Sequence, residues 1–313
     1  MTTGAGRQTP SAITPVRSRV SPDTLSAWLF SAPAVLLIAA FMILPFILAF
    51  YFSFTNERLI SPRPTEWVGL RNYERLLFED PRFWKSLSNN VIFSVVVVPL
   101  QTGFALLLAI LVNQKIKGTV IFRTIFFMPI TVVMAAVSVI WIVLLNPQGL
   151  INSFMSIITF GQFSPDWLAD PAWALVAVMI TSIWASVGFQ MIILLAALQD
   201  VPETLYEAAR IDGANNRQQF LHVTLPGIRN PLLFVLTITT ILSFRLFDQV
   251  WIMPDRPGGP LDATRTLMVD IVDTGLNRGA VGQGSALSVI FLVIVLVVAL
   301  IQRRLIKQEG DMG

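Results

Sequence analysis

The sequence contains no cysteine and a single histidine, His222. Without cysteine there are no disulfides and no thiolate-ligated metal sites. One histidine cannot build a histidine metal centre, so His222 is interpreted as a solvated or packed loop residue. We therefore expect no metal site in this chain.

Charged residues are also scarce. They make up 13% of the chain, whereas hydrophobic residues make up 54%. Soluble domains carry about 25% charged residues, so this balance indicates a membrane protein. The formal net charge of +3 is small and the basic residues are scattered. No basic stripe interleaved with aromatic residues is present, which argues against nucleic-acid binding.

Motifs of nucleotide binding and catalysis are absent as well. A P-loop needs a lysine directly after a glycine, and none of the four lysines has that neighbour: Lys85, Lys115, Lys117 and Lys307. No G-x-S-x-G elbow or H-E-x-x-H helix occurs. We therefore predict that the chain is not an enzyme and binds no cofactor itself.

Long apolar runs dominate what is present. A membrane-crossing helix needs about twenty residues. Six apolar runs are predicted to be such helices: 25–55, 91–112, 124–145, 173–198, 232–253 and 286–302. Pro45 is expected to kink the first and Pro129 to break the third. Because lipid cannot satisfy backbone groups, the sequence predicts an all-α, polytopic membrane protein with six transmembrane helices. Residues 1–24 are expected to be a disordered tail, 25–308 one transmembrane domain, and 309–313 a C-terminal tail.

Basic residues set the expected orientation. One side of the membrane receives twelve Lys or Arg residues and the other nine. The loop after the first span blurs this difference, but residues 146–170 contain no basic residue at all. We therefore predict that both termini are cytoplasmic, together with the polar segment 200–226.

Segment 200–226 reads D-V-P-E-T-L-Y-E-A-A-R-I-D-G-A-N-N-R-Q-Q-F-L-H-V-T-L-P. Asp200 and Glu203 form a capping-box pattern, and Gly213 suits the position after a helix end, where φ is often positive. A short amphipathic helix is predicted here. Its narrow apolar strip leaves room for the close approach of another protein: Leu205, Ala208 and Ala209.

This segment resembles the EAA loop of ABC importer permeases. Val223 stands where that family usually has isoleucine. The resemblance implies that the segment contains a coupling helix seated in a cleft of a separate ATPase subunit, which would bind the ATP and Mg. It assigns ATPase coupling to six residues: Glu207, Ala208, Ala209, Gly213, Leu225 and Pro226.

The fifth apolar run contains the other distinctive residues. Arg245 and Asp248 are three apart, so they are predicted to share a helix face, where they could pair. They should face the helix bundle or a water-filled cavity, because a charge towards lipid is costly. One interpretation is a solute pathway with aromatic rings for stacking; the alternative is a structural ion pair near the outer interface. The candidate pathway residues are Phe244, Arg245, Phe247, Asp248, Gln249 and Trp251.

The continuation of this run into Gly258-Gly259-Pro260 is similar to the pattern F-D-x-x-W/Y-x-x-T-x-G-G-P of carbohydrate permeases. Residues 254–257, P-D-R-P, depart from it where that family often has a Thr-Gly pair. The resemblance implies a permease subunit for a sugar or sugar-like solute, similar to the sugar and glycerol-3-phosphate permeases, in a bacterial or archaeal plasma membrane. It also implies four kinds of partner: a second homologous permease subunit, two ATP-binding-cassette ATPase subunits, an extracytoplasmic solute-binding protein and membrane lipid.

An ion-coupled secondary transporter is the alternative of a different class. It would need buried carboxylates within the spans, and only Asp248 is a candidate. The polar residues of the fourth run could line a path, but interhelical hydrogen bonding is the favoured interpretation: Thr181, Ser182, Ser186 and Gln190.

Overall fold

The structure is a computed structural model that describes residues 22–61, 64–114 and 118–310. Most of the predicted N-terminal tail and residues 311–313 lie outside the described residues. The chain divides into two units, 1–48 and 49–313. Among the described residues the secondary structure is helical, apart from one isolated bridge between Thr55 and Trp67.

Twelve helices are labelled here. They are α1 (Pro22–Ile38), α2 (Leu44–Phe52), α3 (Pro81–Asn113), α4 (Thr119–Phe127), α5 (Met134–Leu145), α6 (Leu150–Ile158), α7 (Pro171–Asp200), α8 (Glu203–Ile211), α9 (Arg229–Phe244), α10 (Asp248–Ile252), α11 (Leu267–Val272) and α12 (Val281–Gly310). Shorter α-helical pieces span Arg71–Glu74, Asn216–Gln219 and Leu225–Gly227. Single π or 3-10 turns occupy Ala39–Ile43, Arg75–Glu79, Met128–Thr131, Phe220–Thr224, Pro260–Asp262 and Asp273–Asn277.

Five helical stretches are long and apolar enough to cross a membrane. They are Ser26–Phe52, Pro81–Asn113, Pro171–Asp200, Arg229–Ile252 and Val281–Arg304. A sixth is obtained if the bent pair Thr119–Thr131 and Met134–Leu145 is one span. The prediction of an all-α, polytopic membrane protein is thus confirmed, with five or six candidate spans among the described residues.

Two prolines interrupt the apolar helices. Helix α4 ends at Phe127, and Pro129 lies in the 3-10 turn that follows. The chain bends by 103° after this turn, where residues 132–133 separate Thr131 from Met134. Proline lacks the amide hydrogen that a helix needs and clashes with the preceding turn, so the predicted break at Pro129 is confirmed. Before Pro45, a π turn over Ala39–Ile43 separates α1 from α2, which is how a helix absorbs such a missing donor.

Within residues 49–313, α3 packs along α7, and α9 packs against both. Towards one end of these helices, Phe93, Val137 and Val178 belong to a core that also includes α10. Towards the other end, Leu108 and Leu194 belong to a second core. These three helices therefore form the frame around which the remaining elements are placed.

A glycine allows α4 to approach α7 unusually closely. A Cβ added to Gly188 on α7 would collide with the backbone carbonyl of Phe126 on α4. Small residues at such crossings let helix backbones pack directly in membrane proteins. Gly188 thus fixes the first half of the bent pair against the frame.

Candidate functional site

The fifth apolar run contains a break in the helix. Helix α9 ends at Phe244 and α10 begins at Asp248, and Phe247 between them has φ −138° and ψ −61°. The prediction that Arg245 and Asp248 share one helix face is therefore wrong. Among the described residues, no ion pair joins these two side chains.

Side-chain hydrogen bonds from outside the span stabilise this break. The Asn90 Nδ2 donates to the carbonyl oxygen of Phe244 at 3.2 Å, and the Thr266 hydroxyl donates to that of Leu246 at 2.9 Å. A helix end leaves backbone carbonyls without helical partners. Here two of them are satisfied by side chains, so the helix can end within an apolar run.

The break opens onto a cavity of 310 Å³. The cavity lies among α3, α5, α7 and α9, with the break along one wall. Arg245 and Asp248 are exposed to it, and Phe247 and Gln249 complete that wall. Phe244 is buried and Trp251 half-buried, and neither lines the cavity. Trp251 instead packs on Phe247, with ring centroids 5.1 Å apart.

Uncharged polar side chains line the remaining walls of the cavity. They are Gln101 on α3, Ser182 and Ser186 on α7, and Thr239 and Ser243 on α9. Neither the Gln101 amide nor the Ser186 hydroxyl has a hydrogen-bond partner among the described residues, and both line the cavity. Sequence reasoning missed Gln101. Its signal is an amide within the apolar run from Val91 to Val112.

Three of the four polar residues of the fourth run bond to another helix or line the cavity. The exception is Thr181, whose hydroxyl donates to the Ala177 carbonyl of its own helix at 2.9 Å. Gln190 donates from Nε2 to the Thr239 hydroxyl at 2.6 Å, and Ser182 accepts from Gln249 Nε2 at 3.2 Å. These contacts confirm interhelical hydrogen bonding. Ser182 and Ser186 also line the cavity.

The second candidate site is α8, within segment 200–226. Its N-terminal cap is Pro202, without a side-chain hydrogen bond, because α7 continues through Asp200. The predicted capping box of Asp200 and Glu203 is therefore wrong. Glu203 instead accepts a hydrogen bond from Arg210 at 2.7 Å.

A capping box does occur in this segment, one helix later. Asn215 and Gln218 exchange backbone-to-side-chain hydrogen bonds of 2.8 and 3.0 Å at the start of Asn216–Gln219. His222 is exposed there, and its Nδ1 lies 2.9 Å from the Gln218 carbonyl oxygen. His222 is thus solvated, as the sequence predicted, but it lies in the π turn Phe220–Thr224 rather than in a loop.

The end of α8 has the predicted geometry. Gly213 has φ +80°. Its N–H donates to the Arg210 carbonyl at 3.1 Å, and the Ala214 N–H donates to the Ala209 carbonyl at 2.9 Å. These are the two bonds of a Schellman motif. The prediction of a glycine with positive φ after this helix is confirmed.

Helix α8 lies at the surface; of its predicted apolar strip, Leu205 and Ala208 are exposed and Ala209 is half-buried. None of its residues is buried; Leu205 is 50% exposed and Ile211 87%. Glu207 and Ala208 are exposed as well. Farther along the segment, Leu225 is half-buried and Pro226 exposed. An apolar strip flanked by an exposed carboxylate is the composition of a helix that docks into a groove of a partner.

Two features connect α8 to the spans. The Tyr206 hydroxyl lies 2.9 Å from the Thr224 hydroxyl, which precedes α9. Only Val201 and Pro202 separate α8 from α7. A hollow of 800 Å³ lies between α8 and the adjoining ends of α3 and α7. Helix α8 is therefore joined directly to α7 and, through Tyr206, to the segment before α9. Both α7 and α9 are among the helices that line the cavity.

A buried ionic cluster lies between α10 and α12, outside the candidate spans. Arg265 donates from Nε to Asp262 at 2.8 Å and from Nη1 to Asp270 at 2.6 Å. Burial lowers the pKa of Arg265, but the hydrogen bonds and charges of Asp262 and Asp270 outweigh this and raise it. Asp273 loses solvent too, yet hydrogen bonds from Arg278 and Asn277 lower its pKa. Burial raises the pKa of Asp270, although the hydrogen bonds from Ser86 and Arg265 act in the opposite direction. No sequence motif had indicated this cluster.

Comparison with known proteins identifies the family. Residues 101–308 match the family described as "Binding-protein-dependent transport system inner membrane component". The lactose transport system permease protein of Rhizobium radiobacter is 34% identical over 278 residues, covering 88% of this chain and 91% of that protein. The trehalose/maltose transport system permease protein of Thermococcus litoralis is 34% identical over 270 residues, covering 86% and 89%.

A solved structure has the same fold. One chain of a bacterial ABC transporter that imports the acidic polysaccharide alginate superposes with a TM-score of 0.79 at 22% identity. The match covers 91% of this chain and 97% of the other. The family relies on binding proteins for transport, which does not fit the alternative of an ion-coupled secondary transporter. The chain therefore belongs to the inner membrane components of binding-protein-dependent transport systems, and it is a multi-pass permease subunit rather than an enzyme.

Proposed function

We propose that this chain and a second permease subunit together form the membrane pathway for a carbohydrate or carbohydrate-like solute. The observation that carries the proposal is the cavity at the helix break. Arg245 and Asp248 line it together with Gln101, and neither charge has an ion-pair partner in the part of the chain that the structure describes. The names of the relatives from Rhizobium radiobacter and Thermococcus litoralis, which refer to lactose and to trehalose and maltose, support this solute class.

The chemistry of the cavity suits a polyhydroxylated solute. Sugar hydroxyls both donate and accept hydrogen bonds, and so do amide and hydroxyl side chains. Gln101 and Ser186 offer both roles, Arg245 donates and Asp248 accepts. The Phe247 ring adds an apolar surface against which a sugar face can pack. A few polar groups within an otherwise apolar lining are typical of small-molecule sites, and 310 Å³ is near the lower end of their usual range of about 300–1,000 Å³.

Uptake by the reconstituted complex tests this proposal. Proteoliposomes holding this chain with its cognate subunits and binding protein are offered labelled neutral sugars, acidic sugars, amino acids and peptides. Uptake is expected for a saccharide. Saturable uptake of an amino acid or peptide only would contradict the proposed solute class.

Changing Asp248 to Asn is expected to lower uptake of that saccharide about tenfold or more, because a hydrogen bond to a charged group contributes about 1.5–3 kcal/mol and 1.4 kcal/mol corresponds to a factor of ten. Complex assembly should persist, since no ion pair is broken. Asp255→Asn is the matched control, because Asp255 is exposed and does not line the cavity. Equal uptake by both variants would remove Asp248 from the pathway.

The exposed α8 is proposed as the docking helix for an ATP-binding-cassette ATPase, one of two such subunits in the complex. Glu207, Ala208, Ala209 and Gly213, with Leu225 and Pro226 near the start of α9, are its proposed coupling residues. ATP and Mg are bound by the ATPases. An extracytoplasmic binding protein delivers the solute, in keeping with the family description.

We further propose that α8 and both termini face the cytoplasm. A cysteine introduced at Gln162, in the loop between α6 and α7, should react with an impermeant thiol reagent added to intact cells. A cysteine at Asn216 should react only after permeabilisation. Both positions are exposed, and the chain has no cysteine of its own. Labelling of Asn216→Cys alone in intact cells would reverse the orientation.

A further inference from the structure

Asn90 connects two parts of the chain that are far apart in sequence. It is fully buried on α3. Its Nδ2 donates to the Phe244 carbonyl at 3.2 Å, where α9 ends, and its Oδ1 accepts from the Leu267 N–H at 2.8 Å, where α11 begins. One amide therefore bridges the helix break and the segment that follows α10.

Thr266 makes the second connection between these parts. Its hydroxyl donates to the Leu246 carbonyl at 2.9 Å, within the break. The same hydroxyl caps α11, accepting from the Val269 N–H at 3.4 Å. Thr266 is fully buried. Two carbonyls of the break are thus held by side chains of α3 and of the residue before α11.

The same face of α3 also holds segment 262–270. Asn89 donates both amide hydrogens, to the carbonyls of Asp262 and Arg265, each at 2.9 Å. One turn earlier, the Ser86 hydroxyl donates to Asp270. Residues at this spacing lie together on one helix face. Segment 262–270 and the break are consequently fastened to the same turns of α3.

We propose that Asn90, assisted by Thr266, is a positioning residue that ties the break at 245–247 to segment 262–270, so that the two move together. The inference rests on the proposed function of the cavity. Arg245, Phe247 and Asp248 keep their orientation towards the cavity only while the break keeps its shape. Removing the Asn90 amide leaves the Phe244 carbonyl and the Leu267 N–H without these partners. The Thr266 hydroxyl on the Leu246 carbonyl is then the remaining side-chain hydrogen bond described at the break.

Cysteine reporters test this inference in the otherwise cysteine-free chain. Phe247→Cys places a thiol on the break, and Ser186→Cys places one on α7, across the same cavity. The rate of modification by a charged methanethiosulfonate reagent is measured for each in the purified, assembled complex. Each reporter is combined with Asn90→Ala, with Thr266→Val, and with two controls. Thr266→Ser keeps the hydroxyl, and Ser88→Ala changes an exposed residue of the same helix.

With Asn90→Ala or Thr266→Val, the modification rate at Phe247→Cys is expected to change about fivefold, the effect of one net hydrogen bond on an equilibrium. The rate at Ser186→Cys should stay the same, and both controls should leave both rates unchanged. If Asn90→Ala fails to assemble, Thr266→Val decides the outcome alone.

Three results would overturn the inference. If neither rate changes, Asn90 does not position the break. If both rates change together, the substitution loosens the whole cavity and the role is general packing. If both reporters are unreactive in the parent chain, the cavity is closed to water. That third result contradicts the proposed pathway, and with it the inference, whereas the first two leave the pathway intact.

Discussion

Replacement of Gly188 by valine is expected to prevent accumulation of the folded permease. A Cβ at this position would lie inside the contact distance of the Phe126 carbonyl group and 3.0 Å from the Phe127 Cα. The obstacle is backbone, so no change of rotamer relieves it, and α4 must move away from α7. Overpacking typically lowers the free energy of unfolding by about 1–3 kcal/mol where side chains can adjust, and a larger loss is expected for Gly188→Val.

The measurement is the amount of monodisperse protein extracted from membranes, with its thermal unfolding midpoint in detergent. Gly103→Ala on α3 is the matched control, because it also lies within a long helix but has nothing within 4 Å of the added Cβ. It should be neutral or stabilising by about 0.4–1 kcal/mol, through a more restricted unfolded chain. A Gly188→Val protein with the parental yield and midpoint would show that α4 does not pack on α7 as described.

The second large effect is expected at α8. In the proposed docking, Glu207 pairs with a basic residue of the ATPase and becomes buried. Glu207→Ala should therefore lower the ATPase stimulation by solute-loaded binding protein about tenfold or more, because losing one partner of a buried charge pair costs about 2–5 kcal/mol and 1.4 kcal/mol corresponds to tenfold. Glu207 makes no hydrogen bond or ion pair with any described residue, so the permease itself should remain folded. Glu203→Ala is the control on the same helix. Its exposed ion pair with Arg210 contributes about 0–1 kcal/mol.

Gly213→Val tests the shape of the same surface. Gly213 has a φ of +80°, and a residue with a side chain is strained by about 1–2 kcal/mol in this left-handed conformation. Nothing lies within 4 Å of the added Cβ, so the substitution introduces no clash. The end of α8 should therefore shift without a clash, and stimulation should fall as it does for Glu207→Ala. Parental stimulation in both variants, measured in reconstituted complexes, would exclude α8 as the docking helix.

Local chemistry was sufficient for several sequence predictions. Pro129 breaks its helix because proline lacks an amide hydrogen, whatever surrounds it. Gly213 ends α8 because only glycine adopts positive φ without strain. The apolar runs were found because each must match the thickness of a bilayer. In these cases the deciding interactions lie within a few residues of the chain.

Other predictions failed where a competing local interaction was stronger. Asp200 was expected to cap α8, but α7 extends through it, so its backbone is already helical. The capping box formed instead at Asn215 and Gln218, which follow the sharp turn at Gly213. Both sites had suitable residue types, and the length of the preceding helix decided between them.

The sequence by itself determined that this chain is helical, that it spans a membrane several times and that segment 200–226 carries an exposed helix with a fixed end. It could not determine that the fifth run breaks between Arg245 and Asp248. At that break the Phe244 carbonyl accepts a hydrogen bond from Asn90, which is 154 residues away along the chain. An apolar run favours a continuous helix, because its backbone groups then hydrogen-bond to one another. The helix can end within the run where a side chain from another element makes a hydrogen bond to the backbone instead. Only the packing of α3 against α9 brings that side chain to the break.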